Sequence, residues 1–231
     1  MQRILVTGAN RGLGLEFVRQ YLTEPGALLF AAARRGSDPL AALQTEHGER
    51  LHRLVLDVTS DEGIKRAVTR VRAVAGGLDL LINNAGISPR GERWENLEAD
   101  TMLATLRVNA IAPLLVARHF HELLCAGRSP RVINVSSMMG SLALKRSGRH
   151  YSYCSSKAAL NMLTRTAAHD LKADGIVVCA LHPGWVRTDM GGSEADLDPV
   201  QSVRGMRTVI AGLTLRDTGA FYTWQGWRHP W

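Results

Sequence analysis

The chain has 231 residues, 45% of them apolar and 21% charged, which provides for a sizeable core and excludes disorder, collagen and coiled coil. Lys and Arg number 28 against 21 Asp and Glu, giving a net charge of +7. The basic residues are scattered, the densest pairs being Arg34–Arg35 and Lys145–Arg146, so the charge suits a small anionic ligand better than nucleic acid. Cys125, Cys154 and Cys179 lie far apart with no Cys-x-x-Cys, which predicts free thiols, no metal site and a reducing, cytoplasmic setting. The first residues, MQRILVTGAN, hold too short an apolar core for a signal peptide. No run approaches the ~18 apolar residues of a spanning helix, so no membrane span is expected.

Short apolar runs alternate with longer segments of helical period. Arg3–Thr7 reads as a strand and Gly12–Leu22 as a helix. Leu28–Ala33 is a second strand, Pro39–His47 a helix and Leu51–Leu56 a third strand. Ser60 is placed as an N-cap, with Asp61 and Glu62 at the positive end of a helix reaching Ala75. Leu78–Asn83 is a fourth strand. Leu97–Leu124 is helical, with Pro113 as a boundary or kink. Arg131–Ser136, Ile176–Leu181 and Phe221–Trp224 complete the strands, and Ser152–Ala173 and Val200–Leu213 the helices. The strands read as continuous apolar runs, the mark of strands covered on both faces. Strand–helix alternation across the chain predicts one doubly wound α/β domain spanning residues 1–231.

The first strand runs into Thr7-Gly8-Ala9-Asn10-Arg11-Gly12-Leu13-Gly14. Glycines at a strand-to-helix turn let the backbone approach a pyrophosphate, and free N–H groups of the helix face the anion. The second strand ends in Ala33-Arg34-Arg35. An acid there would bind the ribose 2′-hydroxyl of NAD, whereas arginine meets a 2′-phosphate, with Arg11 as a second cation. Asp57, followed by Val58, is placed either at the adenine or as a turn cap.

Tyr153 and Lys157 are four residues apart on one helix and share a face. A cation beside a tyrosine favours its phenolate and lowers its pKa, so the pair can move a proton. Ser136-Ser137 ends the fifth strand at the carboxyl edge of the sheet, where ligands bind in such folds.

The glycine loop, Asn83-Asn84-Ala85-Gly86, Asn109, Ser137, Tyr153 with Lys157, and Pro183-Gly184 occur in one order. This resembles the short-chain dehydrogenase/reductase family and implies a Rossmann-like fold. Ser137 lies 16 residues before Tyr153, a longer spacing than the family's commonest, and Gly140 stands where that commoner spacing would put the serine. The insert, and the run His182-Pro183-Gly184-Trp185-Val186-Arg187-Thr188-Asp189-Met190, look like the C-factor and sniffer-type carbonyl reductase branch. The resemblance implies that Ser137 holds a substrate oxygen, Tyr153 donates the proton, and Lys157 binds the nicotinamide ribose and depresses the Tyr153 pKa. Asn109 would hold a water linked to Lys157. Asn84, Ala85 and Gly86 would line the adenosine side, and Pro183, Gly184, Val186 and Thr188 the nicotinamide. NADP(H) is the implied cofactor, preferred over NAD(H), a small carbonyl or alcohol the substrate, and a homodimer or homotetramer the assembly. A dinucleotide-binding signalling protein of C-factor type is the rival reading.

Three further expectations concern the margins. Residues 189–200, rich in Gly and acids, are expected to form a mobile lid. Phe221, Tyr222, Trp224, Trp227 and Trp231 crowd the C-terminus and are placed in packing before a pocket wall. His182 is placed in the core rather than at a metal.

Overall fold

A computed structural model describes residues 1–231. Its centre is a seven-stranded sheet: β1 (Gln2–Thr7), β2 (Ala27–Ala33), β3 (Leu51–Val55), β4 (Leu80–Asn83), β5 (Arg131–Val135), β6 (Val177–His182) and β7 (Phe221–Thr223). The spatial order is β3-β2-β1-β4-β5-β6-β7, and every pairing is parallel. The order reverses between β1 and β4, which leaves a crevice at their carboxyl ends.

Helices cover both faces. α1 (Gly12–Leu22), α2 (Asp38–His47) and α8 (Pro199–Gly212) lie on one side. α3 (Asp61–Ala75), α5 (Ala112–His119), α6 (His121–Cys125) and the long α7 (Tyr151–Leu171) lie on the other. Successive residues of a strand feed opposite layers: Ile4 and Val6 join Phe17 and Met206, while Leu5 joins Phe30, Val116 and Phe120. That explains the unbroken apolar runs. β3 departs from the expectation. As an edge strand it is only partly covered, with Leu51 and Leu54 buried and Arg53 and Val55 exposed, since no strand flanks its outer side.

The segment read as one or two helices over 97–124 is α4 (Ala99–Leu106), a π-helical turn (Arg107–Ile111), α5 and α6. Pro113 does not end the helix; it sits in the first turn of α5, where its missing N–H costs nothing within that helix. Its absent donor does leave the Asn109 carbonyl without the usual i+4 partner. The continuous stretch Ala99–His119 has 21 residues, with mean hydropathy 1.3 over 18 of them, long and apolar enough by length and composition alone to cross a membrane. It is not an unbroken apolar run, since Asp100, Arg107, Asn109 and Arg118 interrupt it. The stretch packs on α7 and belongs to the wall of the crevice, with Asn109 and Ala110 fully buried.

At the amino edge of the sheet Asp79 accepts from the Arg3 backbone (2.7 Å), Arg3 Nε (3.0 Å), Arg3 Nη2 (2.6 Å) and the Arg128 backbone (2.6 Å). Burial alone would raise the Asp79 carboxyl; the Arg3 guanidinium and the two N–H groups hold it below the usual range. The pair fixes β1 against β4 and the turn into β5. Asp79→Ala leaves a largely buried guanidinium and two N–H groups without an acceptor. We expect a loss of about 3 kcal/mol, roughly 6–12 °C in Tm for a chain of this size. Urea and thermal unfolding that matched the wild type would contradict this account.

Candidate active site

β1 delivers Thr7 to the start of the glycine loop. Gly8 has φ of +65°, a left-handed conformation that suits glycine, and the chain then turns into α1. Gly14 sits so close to that turn that a Cβ would collide with the Gly8 carbonyl oxygen. The Arg11 side chain at the N-cap makes no cap bond, and the first turn of α1 holds no acid, so its N–H groups are available to an anion. The Thr7 hydroxyl accepts from the Asn84 and Ala85 backbones at 3.0 and 3.1 Å, and Asn84 Nδ2 donates to the Thr7 and Gly8 carbonyls at 3.0 and 3.2 Å. The loop after β4 is thereby locked to the glycine loop.

A cleft of about 760 Å³ opens at this edge. Gly8, Asn10, Arg11, Gly12, Leu13, Arg34, Asp57, Val58, Asn84, Ala85, Gly86, Tyr153, Lys157, Pro183 and Thr188 all border it, as do Arg35 and Met190. Gly14, Gly184 and Val186 do not. Gly14 supports the loop from behind, Gly184 packs against Leu197 and Trp224, and Val186 is buried. Arg34 and Arg35 stand at one end of the cleft. Arg11 is engaged differently from the expectation: it pairs with Asp189 at 2.6 Å across the mouth, drawn by the nearest carboxylate. Asp57 takes its turn-cap role, accepting from the Thr59 N–H (2.9 Å) and hydroxyl (2.7 Å) through one oxygen, and these bonds lower its pKa.

Tyr153 and Lys157 face the cleft from α7. Burial pushes the Tyr153 phenol up to about 12, with the Ser137 hydroxyl working in the opposite sense. The expected depression of Tyr153 by Lys157 is therefore absent in this arrangement. The reason is visible in the ammonium: Lys157 Nζ donates to the Val135 carbonyl at 2.8 Å and lies 5.7 Å from the centre of the Tyr153 ring. Its own burial lowers it to about 8. Ser136 borders the cleft, yet its hydroxyl donates to Asn161 at 2.6 Å; Ser137 is the serine in contact with Tyr153. The Ser137 oxygen also caps the short turn Met138–Gly140 through Met139 N–H, 3.1 Å away.

Asn109 is fully buried behind the cleft. Its Oδ1 accepts from the Ile87 N–H at 2.8 Å, and its Nδ2 donates to the Ile87 carbonyl at 2.8 Å and to Ser156 Oγ at 3.0 Å. The side chain thus ties the loop after β4 to α7.

A family description for short chain dehydrogenase matches residues 2–197. The chain belongs to the short-chain dehydrogenase family. Its solved relatives include the NADPH-bound carbonyl reductase from chicken fatty liver, 38% identical with a TM-score of 0.94, covering 100% of this chain and 99% of that one. Carbonyl reductase Sniffer of Drosophila melanogaster is 33% identical with a TM-score of 0.96, each chain covered in full. C-signal of Myxococcus xanthus is 45% identical over 156 residues, 68% of this chain and 94% of that protein. The C-factor and sniffer-type resemblance is thus borne out.

In this short-chain dehydrogenase residues 189–200 are well anchored. Asp189 meets Arg11 and, through its carbonyl, Arg90 Nη2 at 2.8 Å. Trp185 Nε1 donates to Gly191 O at 2.8 Å, and Arg187 Nη1 to Ala195 O (2.8 Å) and Asp196 O (3.0 Å). Ala195 and Leu197 are buried between the acids, an alternation that composition alone hides. The aromatic tail packs on itself: Phe221 stacks on Trp231 at 5.3 Å, and Arg165 covers the Trp231 ring. His182 is a core histidine set edge-on to His229, and burial lowers it to about 4.

Two residues escaped sequence reasoning. Glu92 is buried and accepts from both the N–H and the hydroxyl of Ser152, holding the start of α7 beside Tyr153. Ser156 receives Asn109. Neither carries a spacing signal, since their partners are 60 and 47 residues away.

Proposed function

We propose that this short-chain dehydrogenase is an NADP(H)-dependent carbonyl reductase whose residues 1–231 serve as one cofactor-binding unit. The observation that carries the reading is one cleft bordered by an anion-ready glycine loop, a half-buried Tyr153 and Lys157, with buried Ser137 next to the phenol. The likeness to carbonyl reductases, one of them NADPH-bound, supports it.

A dinucleotide fits these residues. The Gly8–Gly14 turn leaves room for a pyrophosphate at the α1 N-terminus, Asn84, Ala85 and Gly86 border the adenosine side, and Arg34 with Arg35 offers charge to a 2′-phosphate. When bound, the nicotinamide supplies the hydride. The Ser137 hydroxyl donates to the substrate carbonyl oxygen and orients it. Tyr153, raised to about 12, keeps its proton at neutral pH and is therefore in the acid form that reduction requires. As the proton leaves for the substrate oxygen, the Ser137 hydroxyl favours the phenolate, while the Lys157 ammonium would bind the nicotinamide ribose. Exposed Met138 next to Ser137, and Met190 on the cleft, favour an apolar carbonyl substrate. Exposed Leu103, Ile111 and Met162 on α4, the π-helical turn and α7 favour self-association through that face.

The kinship with C-signal carries a second reading, in which dinucleotide binding rather than turnover serves a signalling role. Turnover of aldehydes, ketones and quinones, assayed with each reduced cofactor, separates the two.

Three outcomes are expected. Tyr153→Phe retains fold and cofactor binding and loses turnover by at least about 100-fold, the usual scale for a general acid; full turnover in that variant removes Tyr153 from the step. The profile of kcat/KM against pH should be flat below about 8 and fall above it as Lys157, lowered to about 8, loses its charge. An unbroken plateau through strongly alkaline pH would exclude the Lys157 cation from the reaction. NADPH should bind more tightly than NADH, by roughly 10- to 150-fold if one charge-assisted contact to the 2′-phosphate decides it. Arg34→Asp should narrow or reverse that ratio in a fluorescence titration, and equal binding of the two cofactors by the wild type would refute the preference.

A further inference from the structure

Away from the cleft, α6 and the turn after α7 bring three ligand-type side chains together. His121 and Cys125 lie four residues apart on α6 and so share a face. Asp174 stands in the turn that leads into β6. Asp174 Oδ2 is 2.8 Å from His121 Nε2, and Cys125 Sγ is 3.5 Å from the same nitrogen. The three ligand atoms all lie within 4.8 Å of one another.

Convergence on one nitrogen is the telling feature. A catalytic Cys-His-Asp relay uses both ring nitrogens, one for the thiol and one for the carboxylate. Here the two partners compete for Nε2. With a proton that nitrogen donates to Asp174 and cannot accept from the thiol. Without it, it accepts from the thiol and repels the carboxylate. In either protonation state one of the two partners gives up its bond to Nε2, whereas a cation among them engages all three.

We propose that His121, Cys125 and Asp174 bind a divalent metal ion of the zinc type, with water completing the coordination. The donor set is borderline-soft nitrogen and sulfur with one carboxylate, the set such ions take. Tetrahedral Zn–N of about 2.0–2.1 Å and Zn–S of about 2.3 Å place nitrogen and sulfur roughly 3.5 Å apart, the separation present here. The carboxylate would retreat by about half an ångström to reach its own tetrahedral distance, a small movement for an exposed aspartate. Glu122, the neighbouring carboxylate, is occupied by Arg72 at 2.7 Å. Cys125 would bind as the thiolate, so metal binding releases its proton. The site lies near the starts of β5 and β6, at the edge of the sheet opposite the cleft, and would clip α6 to the α7–β6 connection.

The test is titration of the chelator-treated full chain with Co²⁺ and Zn²⁺. One equivalent of Co²⁺ should give a thiolate-to-cobalt charge-transfer band. Zn²⁺ should displace it and raise the thermal midpoint in a concentration-dependent way. Cys125→Ser should abolish the band and weaken Zn²⁺ binding by at least about 100-fold; His121→Gln and Asp174→Asn should each weaken it by at least about 10-fold. Because all three side chains are partly exposed, these variants should fold, and circular dichroism checks that they do. Unchanged Zn²⁺ affinity in Cys125→Ser or His121→Gln, absence of the cobalt band in the wild type, or binding of half an equivalent with chain pairing would each overturn the proposal. These readouts do not depend on turnover, so they stand or fall separately from the carbonyl reductase reading.

Discussion

Seven strands that all run the same way need a crossover between each pair, and that one constraint shapes this protein. Helices must lie on both faces, so every central strand is buried twice and must be apolar throughout. All carboxyl ends also fall on one edge. Thr7, Asn83, Val135 and His182 end their strands there, and the glycine loop, the Asn84 loop, Ser137 and Pro183-Gly184 follow them. Residues from the whole length of the chain therefore meet around one crevice without any of them being near in sequence.

The two edges of the sheet are held by different means. At the amino edge a largely buried ion pair, Arg3 with Asp79, joins β1 to β4 and leaves little polar surface unpaired. At the carboxyl edge the groups that join the glycine loop and the loop after β4 to their neighbours are neutral: the Thr7 hydroxyl, the Asn84 and Asn109 amides and the Ser156 hydroxyl. These neutral clamps place no carboxylate on the N–H groups of the glycine loop, so an anion can enter there.

Burial sets the electrostatics of the crevice. Tyr153 is raised and Lys157 lowered by the same desolvation, which penalises the charged form of each. The two shifts move the phenol and the ammonium apart in acidity, from nearly equal values in water to about 12 and about 8, so both groups favour their neutral forms. Ser137, beside the phenol, supplies the hydroxyl that works against this and favours the phenolate.

The elements themselves were legible in the sequence because local rules govern them. Continuous apolar runs marked the central strands, Ser60 capped α3 as its residue type implied, and the Tyr153–Lys157 spacing put both on one helix face. The glycine loop was legible for the same reason, since its turn depends on its own backbone. Long-range pairing was not. Glu92 on Ser152, Arg11 on Asp189, Lys157 on the Val135 carbonyl and the three-residue cluster around His121 each join segments that no period or motif connects. The anchoring of residues 189–200 was hidden too, because their acids suggest solvent while Ala195 and Leu197 dip into the core only where the neighbouring elements offer a surface. The sequence by itself determined which segments become strands and helices and which residue types stand at the carboxyl edge. Tertiary structure alone decided which of them touch, and with that the direction of the Tyr153 shift, since desolvation is a property of the packed surroundings and not of the residue.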